Sequence, residues 1–193
     1  SNKETIEVTN PYDGKLLETV PNAAKEDVDT AIADAVKAQK VWNKVIIRER
    51  AKILRRYLTL LEKNREDLAR TLTLETGKPI FDSYGEIDSV YMTFESSVEI
   101  VKHHYGKTMP MGIEGGYDDD LQVTACIVPF NFPAALWAFK AGPALMAGNA
   151  IVVKPATSNP LTVMKLMGLL VEAGVTPGAV QCITGRGATV GNW

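Results

Sequence analysis

Three short, apolar, β-branched segments in the second half of the chain restrict its fold more than any other feature. They are LQVTACIV at residues 121–128, AIVV at 150–153 and AVQCI at 179–183. Apolar stretches of helical length, 132–147 and 159–173, separate them, and a glycine follows each stretch. Buried strands that alternate with helices are typical of a parallel, doubly wound sheet. We therefore predict an α/β fold with a βαβαβ, Rossmann-type sheet in residues 123–193.

The first half of the chain has a different pattern. Residues 1–20 contain two β-like pieces, TIEVTNP and KLLETVP, interrupted by turn formers, which predicts an edge hairpin. From Ala24 to about residue 105, apolar residues recur at steps of three and four, as in helices. Four segments are expected: one from Ala24, one striped by Ala51 to Leu61, one that stops at Gly77-Lys78-Pro79, and one over 82–104. Residues 1–105 should form a hairpin and a helical layer.

Residues 106–122 are expected to connect the two halves as an arm or a loop. They contain Pro110, Gly112, Gly115 and Gly116, followed by the aspartates 118–120. Turn formers at this density disfavour a core element. The aspartates lack the spaced oxygen ligands of a calcium loop, and we interpret them as a solvated turn.

The balance of charge excludes several classes of partner. Twenty-one basic and 23 acidic side chains give the 193 residues a net charge of −2. Such a chain has no bulk attraction for nucleic acid or anionic lipid. No apolar run has the length of a membrane span, and the charged start SNKETIEV does not resemble a signal peptide. We expect a cytoplasmic protein that binds neither nucleic acid nor membrane.

The cysteines and histidines do not have the spacing of a metal site. Cys126 and Cys182 lie in apolar runs without a CxxC motif, so we predict reduced, buried strand residues. The adjacent His103 and His104 would point about a hundred degrees apart on a helix, which suits a solvated helix end. Gly106-Lys107-Thr108 lacks the first glycine of a P-loop. We predict no metal site.

The polar residues best placed for chemistry follow the predicted strands. Asn131 lies between two prolines just after the first strand, and Lys154 lies at the end of the second. Sheets of this type bind their ligands at the carboxyl ends of the strands. After the third strand, Gly185, Gly187 and Gly191 form GxGxxxG, one residue longer than the dinucleotide fingerprint. Together these features indicate a nucleotide site at this edge of the sheet.

Several segments resemble the aldehyde dehydrogenase superfamily. They are RERAKIL (48–54), LETGKP (74–79), PFNFP (129–133), PALMAGNAIVVKPAT (143–157) and GRGATVG (185–191). The resemblance covers nearly the whole chain in order and implies an aldehyde dehydrogenase-like fold. Family members are more than twice as long, and their nucleophilic cysteine and general-base glutamate lie in the part that would follow Trp193. We therefore expect an amino-terminal fragment, truncated before the catalytic domain and inactive by itself.

The resemblance also implies roles for particular residues. Family members oxidise aldehydes by thiolate attack, hydride transfer to a nicotinamide cofactor and thioester hydrolysis. Asn131 matches the asparagine whose amide holds the oxyanion of the thiohemiacetal, a role that suits a preorganised neutral donor. The residues that match cofactor-binding positions are Val128, Pro129, Phe130, Lys154, Gly187 and Gly191, with Lys154 at the adenosine ribose.

Thr157 bears on the choice between NADP and NAD. It stands where many NAD-specific relatives carry a glutamate, whose charge would repel the 2′-phosphate of NADP. Threonine removes that repulsion, and its hydroxyl is a candidate donor to the phosphate. The alternative is that Thr157 caps the following helix. We expect NADP or NAD as cofactor, with NADP accepted.

The resemblance leaves alternatives open. The substrate would be an aldehyde, and the sequence does not separate the lactaldehyde, glyceraldehyde-phosphate and semialdehyde branches. The full-length protein would be a homo-oligomer, a dimer or tetramer, although DDDLQVTACIV replaces the basic, Pro- and Gly-containing stretch of the family's assembly arm. The second hypothesis is a stand-alone, non-catalytic nucleotide-binding or assembly module of the same fold, and the third an unrelated nucleotide-binding α/β protein.

Overall fold

An antiparallel hairpin opens the computed structural model, which describes residues 4–102 and 122–192. Strands β1 (Thr5–Thr9) and β2 (Leu16–Pro21) pair with each other. Between them, the amide of Tyr12 donates to Oδ1 of Asn10 at 2.9 Å, and Gly14 adopts a φ of 70°. The predicted hairpin is confirmed. Within the described residues it forms a two-stranded sheet of its own, so its placement at the edge of a larger sheet was wrong.

Three helices follow the hairpin: α1 (Lys25–Trp42), α2 (Ile47–Thr76) and α3 (Ile80–Lys102). Helix α2 runs unbroken for 30 residues, so the prediction of two separate segments was wrong. The stretch between the segments, EKNRED at 62–67, contains no glycine or proline, and Leu61, Leu68 and Leu72 keep one buried face in phase. Gly77 ends α2 with a φ of 75°, as predicted. Among the described helices, none combines the length and apolar character needed to cross a membrane.

The second half forms the predicted parallel sheet. Strands β3 (Val123–Ile127), β4 (Ala150–Lys154) and β5 (Val180–Cys182) lie in that order, and α4 (Pro133–Ala147) and α5 (Leu161–Ala173) connect them. A short helix, α6 (Gly187–Val190), follows β5. Within residues 122–192 each new strand is added on the same side of the sheet, so the reversal of strand order that defines a doubly wound sheet does not occur among the described strands.

The ends of these elements differ from the prediction by a residue or two. The helix predicted from residue 159 begins at Leu161. Pro160 explains the later start, because the residue before a proline avoids the helical conformation. Gly148 and Gly174 end α4 and α5 with φ values of 101° and 100°, which confirms both predicted glycine stops.

The helices and the sheet share one hydrophobic core. Helix α2 packs against α3 and α5, α3 packs against α4, and α1 packs against all three strands of the sheet. Successive ring centroids of Tyr57, Phe94 and Trp137 lie 4.7 and 5.6 Å apart at its centre. The buried Arg50 donates from Nε to the carbonyl oxygen of Met146 at 3.1 Å. Polar as well as apolar contacts therefore join the two halves of the chain.

Candidate functional site

The carboxyl ends of β3 and β4 lie level with each other. Ile127 stands opposite Lys154 in the register of the two strands. The amide of Val128 donates to the carbonyl oxygen of Lys154 at 3.0 Å, so the ladder continues one residue past β3. The chain then turns into the loop that carries Asn131. Strand order therefore brings the loop of Asn131 and the end of β4 to one edge of the sheet.

The loop between β3 and α4, residues 129–132, presents an unusual surface. Phe130 is 70% exposed and Phe132 is 53% exposed, although aromatic side chains are mostly buried in proteins. Pro129 and Asn131 are exposed as well. The side-chain amide of Asn131 forms no hydrogen bond to any described residue, so its N–H groups are available to a ligand. A neutral donor beside apolar surface is suited to stabilise negative charge that develops on an oxygen atom.

Two side chains from elsewhere in the chain fix the backbone of this loop. Nδ2 of Asn159 donates to the carbonyl oxygen of Phe130 at 2.8 Å, and Asn159 is only 3% exposed. Nζ of Lys78 donates to the carbonyl oxygen of Asn131 at 3.2 Å. The carbonyl groups of Phe130 and Asn131 are therefore both hydrogen-bonded, whereas the side chain of Asn131 forms no hydrogen bond to a described residue.

A buried carboxylate stands at the first turn of α4. Oε1 of Glu86 accepts from the amides of Ala134 at 2.8 Å and Ala135 at 3.2 Å. Oε2 of Glu86 accepts from Nζ of Lys78. The first amides of a helix have no partner within the helix and attract negative charge, which explains why this carboxylate is accommodated there.

A second buried carboxylate serves α5 in the same way. Oε2 of Glu75 accepts from the amide of Leu161 at 2.7 Å, and Oε1 accepts from the amide of Thr162 at 2.9 Å. Burial raises the pKa of Glu75 above its usual range, although these hydrogen bonds act in the opposite direction. The nearby charge of Glu86 adds to the increase.

Lys154 and Thr157 lie at the end of β4 and just after it. The half-buried ammonium of Lys154 donates to the carbonyl oxygen of Pro155 at 2.9 Å, and burial lowers its pKa. The hydroxyl of Thr157 donates to the carbonyl oxygen of Gly185 at 3.0 Å. Helix α5 has no side-chain cap of its own, so Thr157 does not cap it. The hydroxyl instead ties the end of β4 to the glycine loop after β5.

In the glycine loop, residues 185–191 after β5, the fold itself requires some of the glycines but not all of them. A Cβ on Gly185 would lie 2.3 Å from Cγ2 of Val190, and one on Gly191 would lie 2.6 Å from the carbonyl oxygen of Gly187. A Cβ on Gly187 would meet no atom within 4 Å, and this residue has no positive φ. Internal packing therefore explains Gly185 and Gly191, whereas the open surface at Gly187 leaves room for a ligand to approach the backbone.

Both cysteines lie in strands without a disulfide partner, as predicted. Cys126 is fully buried in β3, and burial raises the pKa of its thiol. Cys182 in β5 is only half-buried, contrary to the prediction, yet its dense surroundings raise the pKa of its thiol to about 12. Neither thiol is suited to form a nucleophilic thiolate. The predictions for His103, His104, Gly106-Lys107-Thr108 and the aspartates 118–120 lie outside the described residues.

Sequence reasoning missed the residues that support the site: Lys78, Glu86, Glu75 and Asn159. A signal for the two glutamates exists. Glu75 follows Leu68 and Leu72 on the buried face of α2, and Glu86 lies next to Ile87 within the apolar pattern of α3. A carboxylate on an apolar helix face needs a partner, and the start of a neighbouring helix provides one.

Comparisons with known proteins identify the family of the chain. Residues 1–193 match the model of the aldehyde dehydrogenase family. The chain is 39% identical to the NADP(+) succinate-semialdehyde dehydrogenase of Escherichia coli, over 100% of this chain and 41% of that protein. It is 39% identical to a glutarate-semialdehyde dehydrogenase of Pseudomonas putida, over 98% and 40%. An NADP-dependent glyceraldehyde-3-phosphate dehydrogenase from Bacillus halodurans, complexed with NADP, superposes with a TM-score of 0.91 at 32% identity, over 98% and 42%.

Proposed function

The chain belongs to the aldehyde dehydrogenase family, and on that premise we propose that the complete protein carrying it oxidises an aldehyde to a carboxylic acid with NADP or NAD. The chain spans about 40% of the length of the curated relatives it matches, so the activity is assigned to the complete protein. The observation that carries the proposal is the pairing of Asn131, with its unoccupied side-chain amide, and Lys154 at adjacent strand ends.

The role of Asn131 follows from the chemistry of the proposed reaction. A nucleophile elsewhere in the complete protein adds to the aldehyde carbon, and the carbonyl oxygen gains negative charge. The amide N–H of Asn131 donates to that oxygen without carrying a charge of its own. Because Lys78 and Asn159 already hold the loop backbone, this donor needs little reorganisation during the reaction.

The residues that would hold the cofactor fit a nucleotide. Gly187 lets the ligand approach the backbone, the exposed Phe130 and Pro129 provide apolar surface after β3, and the buried Val128 supports that loop from the core. Lys154 offers a half-buried ammonium for the ribose hydroxyls or a 2′-phosphate. Gly191 would contribute indirectly, because its lack of a Cβ allows the turn at Gly187. The cofactor supplies the hydride acceptor, which none of these side chains replaces.

The preference for NADP rests on charge rather than on a hydroxyl donor. The hydroxyl of Thr157 already donates to Gly185, so the expectation that it donates directly to a 2′-phosphate needs this correction. The charge argument still holds. Because position 157 carries no carboxylate, no negative charge there repels the 2′-phosphate of NADP from the ammonium of Lys154. Two similar proteins, the E. coli enzyme and the Bacillus halodurans enzyme, are named as NADP-dependent, which supports the proposal.

Semialdehydes are the substrates that we propose first. Two curated relatives named above act on succinate and glutarate semialdehydes. We further propose a cytoplasmic homo-oligomer, a dimer or tetramer, as the state of the complete protein.

The direct experiment supplies the purified complete protein with succinate or glutarate semialdehyde and either cofactor. Formation of NADPH or NADH that depends on the aldehyde is the expected result. Cofactor binding without oxidation of any aldehyde tested would contradict the proposal and favour the non-catalytic module. Substituting Cys126 or Cys182 with alanine is the matched control and should leave turnover in place, since neither thiol is the nucleophile.

A further inference from the structure

The start of α4 is held by a charge that comes from outside the helix. Its N-cap residue, Phe132, has no side-chain cap, and the first amides are satisfied by Glu86 of α3. Glu86 is 4% exposed, so water does not compete for its oxygens. A carboxylate that accepts two amides in a dry environment fixes the position of the first turn closely.

Lys78 connects this carboxylate to the candidate oxyanion residue. One ammonium donates both to Oε2 of Glu86 and to the carbonyl oxygen of Asn131, the latter at 3.2 Å. It also lies 4.6 Å from the ring centroid of Phe132. The side chain of Lys78 is only 15% exposed. The peptide group of Asn131 is therefore fixed by the same ion pair that holds the start of α4.

We propose that Lys78 and Glu86 are positioning residues that hold the Asn131 amide where the oxyanion forms. This inference rests on the proposed function of Asn131. Both side chains act on backbone groups that follow the donor: Lys78 on the carbonyl oxygen of Asn131, and Glu86 on the amides of Ala134 and Ala135. A displacement of about 1 Å at such a donor can slow a reaction by about a hundredfold, so support of this kind affects turnover.

Glu75 provides an internal control. It accepts two amides at the start of α5 just as Glu86 does at α4, and it is also buried. Among the described residues, none of the contacts of Glu75 joins it to Lys78 or to the backbone of Asn131. Loss of its charge should therefore disturb a helix start of the same kind and reach the loop of Asn131 only indirectly, through Asn159, which lies two residues before α5 and donates to the carbonyl oxygen of Phe130.

Steady-state kinetics of the complete protein test the proposal. Lys78→Met and Glu86→Gln should lower kcat by about ten- to a hundredfold and leave the dissociation constant of NADP unchanged. Glu75→Gln should lower kcat less than either of these, because it reaches the loop of Asn131 only through Asn159. In an Asn131→Ala background, Lys78→Met should have little further effect, because the donor that it positions is gone.

Hydrogen exchange supplies a readout independent of activity. The peptide that spans residues 129–136 should exchange faster in Lys78→Met and Glu86→Gln, and closer to the normal rate in Glu75→Gln. If Glu86→Gln destabilises the fold, Lys78→Met alone tests the proposal, because this variant keeps Glu86 and its hydrogen bonds to the first amides of α4.

The outcomes separate this proposal from the proposed function. If Asn131→Ala slows the enzyme while Lys78→Met acts equally in both backgrounds, positioning is contradicted and the role of Asn131 stands. Unchanged exchange in residues 129–136 would also contradict positioning. An unimpaired Asn131→Ala enzyme would overturn the role of Asn131, and with it this inference.

Discussion

The starts of α4 and α5 have the same construction and different charge environments. Each helix follows a proline-containing loop at the end of a strand, lacks a cap of its own, and receives a buried glutamate from the helical layer. At α4 the glutamate, Glu86, is paired with Lys78. At α5 the glutamate, Glu75, has no cation among its described hydrogen-bond partners, and burial raises its pKa.

This difference shows how one structural device can serve two purposes. At α4 the carboxylate is paired with a cation, and the loop before this helix carries Asn131, the proposed oxyanion donor. At α5 burial raises the pKa of the carboxyl group, and the loop before that helix carries Thr157, three residues after Lys154. On the function proposed above, Asn131 in the first loop would act on turnover and Thr157 in the second on the choice of cofactor.

The largest effect should come from breaking the ion pair at α4. Glu86→Ala leaves the mostly buried ammonium of Lys78 and two helix amides without their partner, which should lower the free energy of unfolding by about 3–5 kcal/mol. Glu75→Ala leaves two helix amides but no cation without a partner, and should lower the free energy of unfolding by about 1–3 kcal/mol. Urea unfolding of the complete protein measures both values.

A double substitution sharpens this comparison. Lys78→Met combined with Glu86→Gln removes both charges and keeps an acceptor for α4, so most of the stability lost in Glu86→Ala should return. Equal losses in Glu86→Ala and Glu75→Ala would mean that the ion pair does not distinguish the two helix starts.

An intermediate effect is expected at the loop before α5. Thr157→Glu places a carboxylate near Lys154 and should reduce the ratio of kcat/KM for NADP over NAD by about ten- to a hundredfold. Thr157→Val removes the bond to Gly185 without adding charge and should keep the preference for NADP. Kinetics with both cofactors measure the ratio, and an unchanged ratio in Thr157→Glu would show that this residue does not set the choice.

The smallest effect concerns the protonation of Glu75. Because its pKa is raised in the folded state, the folded protein holds this proton more tightly than the unfolded chain does. The contribution of Glu75 to stability is therefore greatest below the ordinary carboxyl pKa of 4.5, and it declines as the pH rises through the raised value. Glutamine does not titrate. The stability of the protein relative to Glu75→Gln should fall across that window, and a difference independent of pH would contradict the assignment.

Local patterns in the sequence predicted the elements well, for physical reasons visible in particular residues. Gly77, Gly148 and Gly174 each adopt the left-handed conformation that ends a helix, so glycine marked those ends directly. Alternating strands and helices predicted that Asn131 and Lys154 would follow neighbouring strands. The break predicted within α2 was wrong, because no glycine or proline interrupts residues 62–67 and the helix continues through them.

Contacts between distant residues could not be predicted in the same way. Glu86 reaches Ala134 across 48 positions, and Glu75 reaches Leu161 across 86. No periodicity relates such positions, since the pairing depends on how the helical layer packs on the sheet. The hydrogen bond from the side-chain amide of Asn159 to the carbonyl oxygen of Phe130 likewise depends on the folded arrangement.

The most direct measurement compares Asn131→Ala with the unaltered complete protein, by steady-state turnover of a semialdehyde and by NADP binding. Loss of one oxyanion donor should cost about 3 kcal/mol in the transition state, so kcat should fall by about a hundredfold or more. The dissociation constant of NADP should not change, because the amide acts on the aldehyde oxygen. Near-normal turnover, or a fall explained entirely by weaker cofactor binding, would contradict the placement of the oxyanion site in the loop before α4.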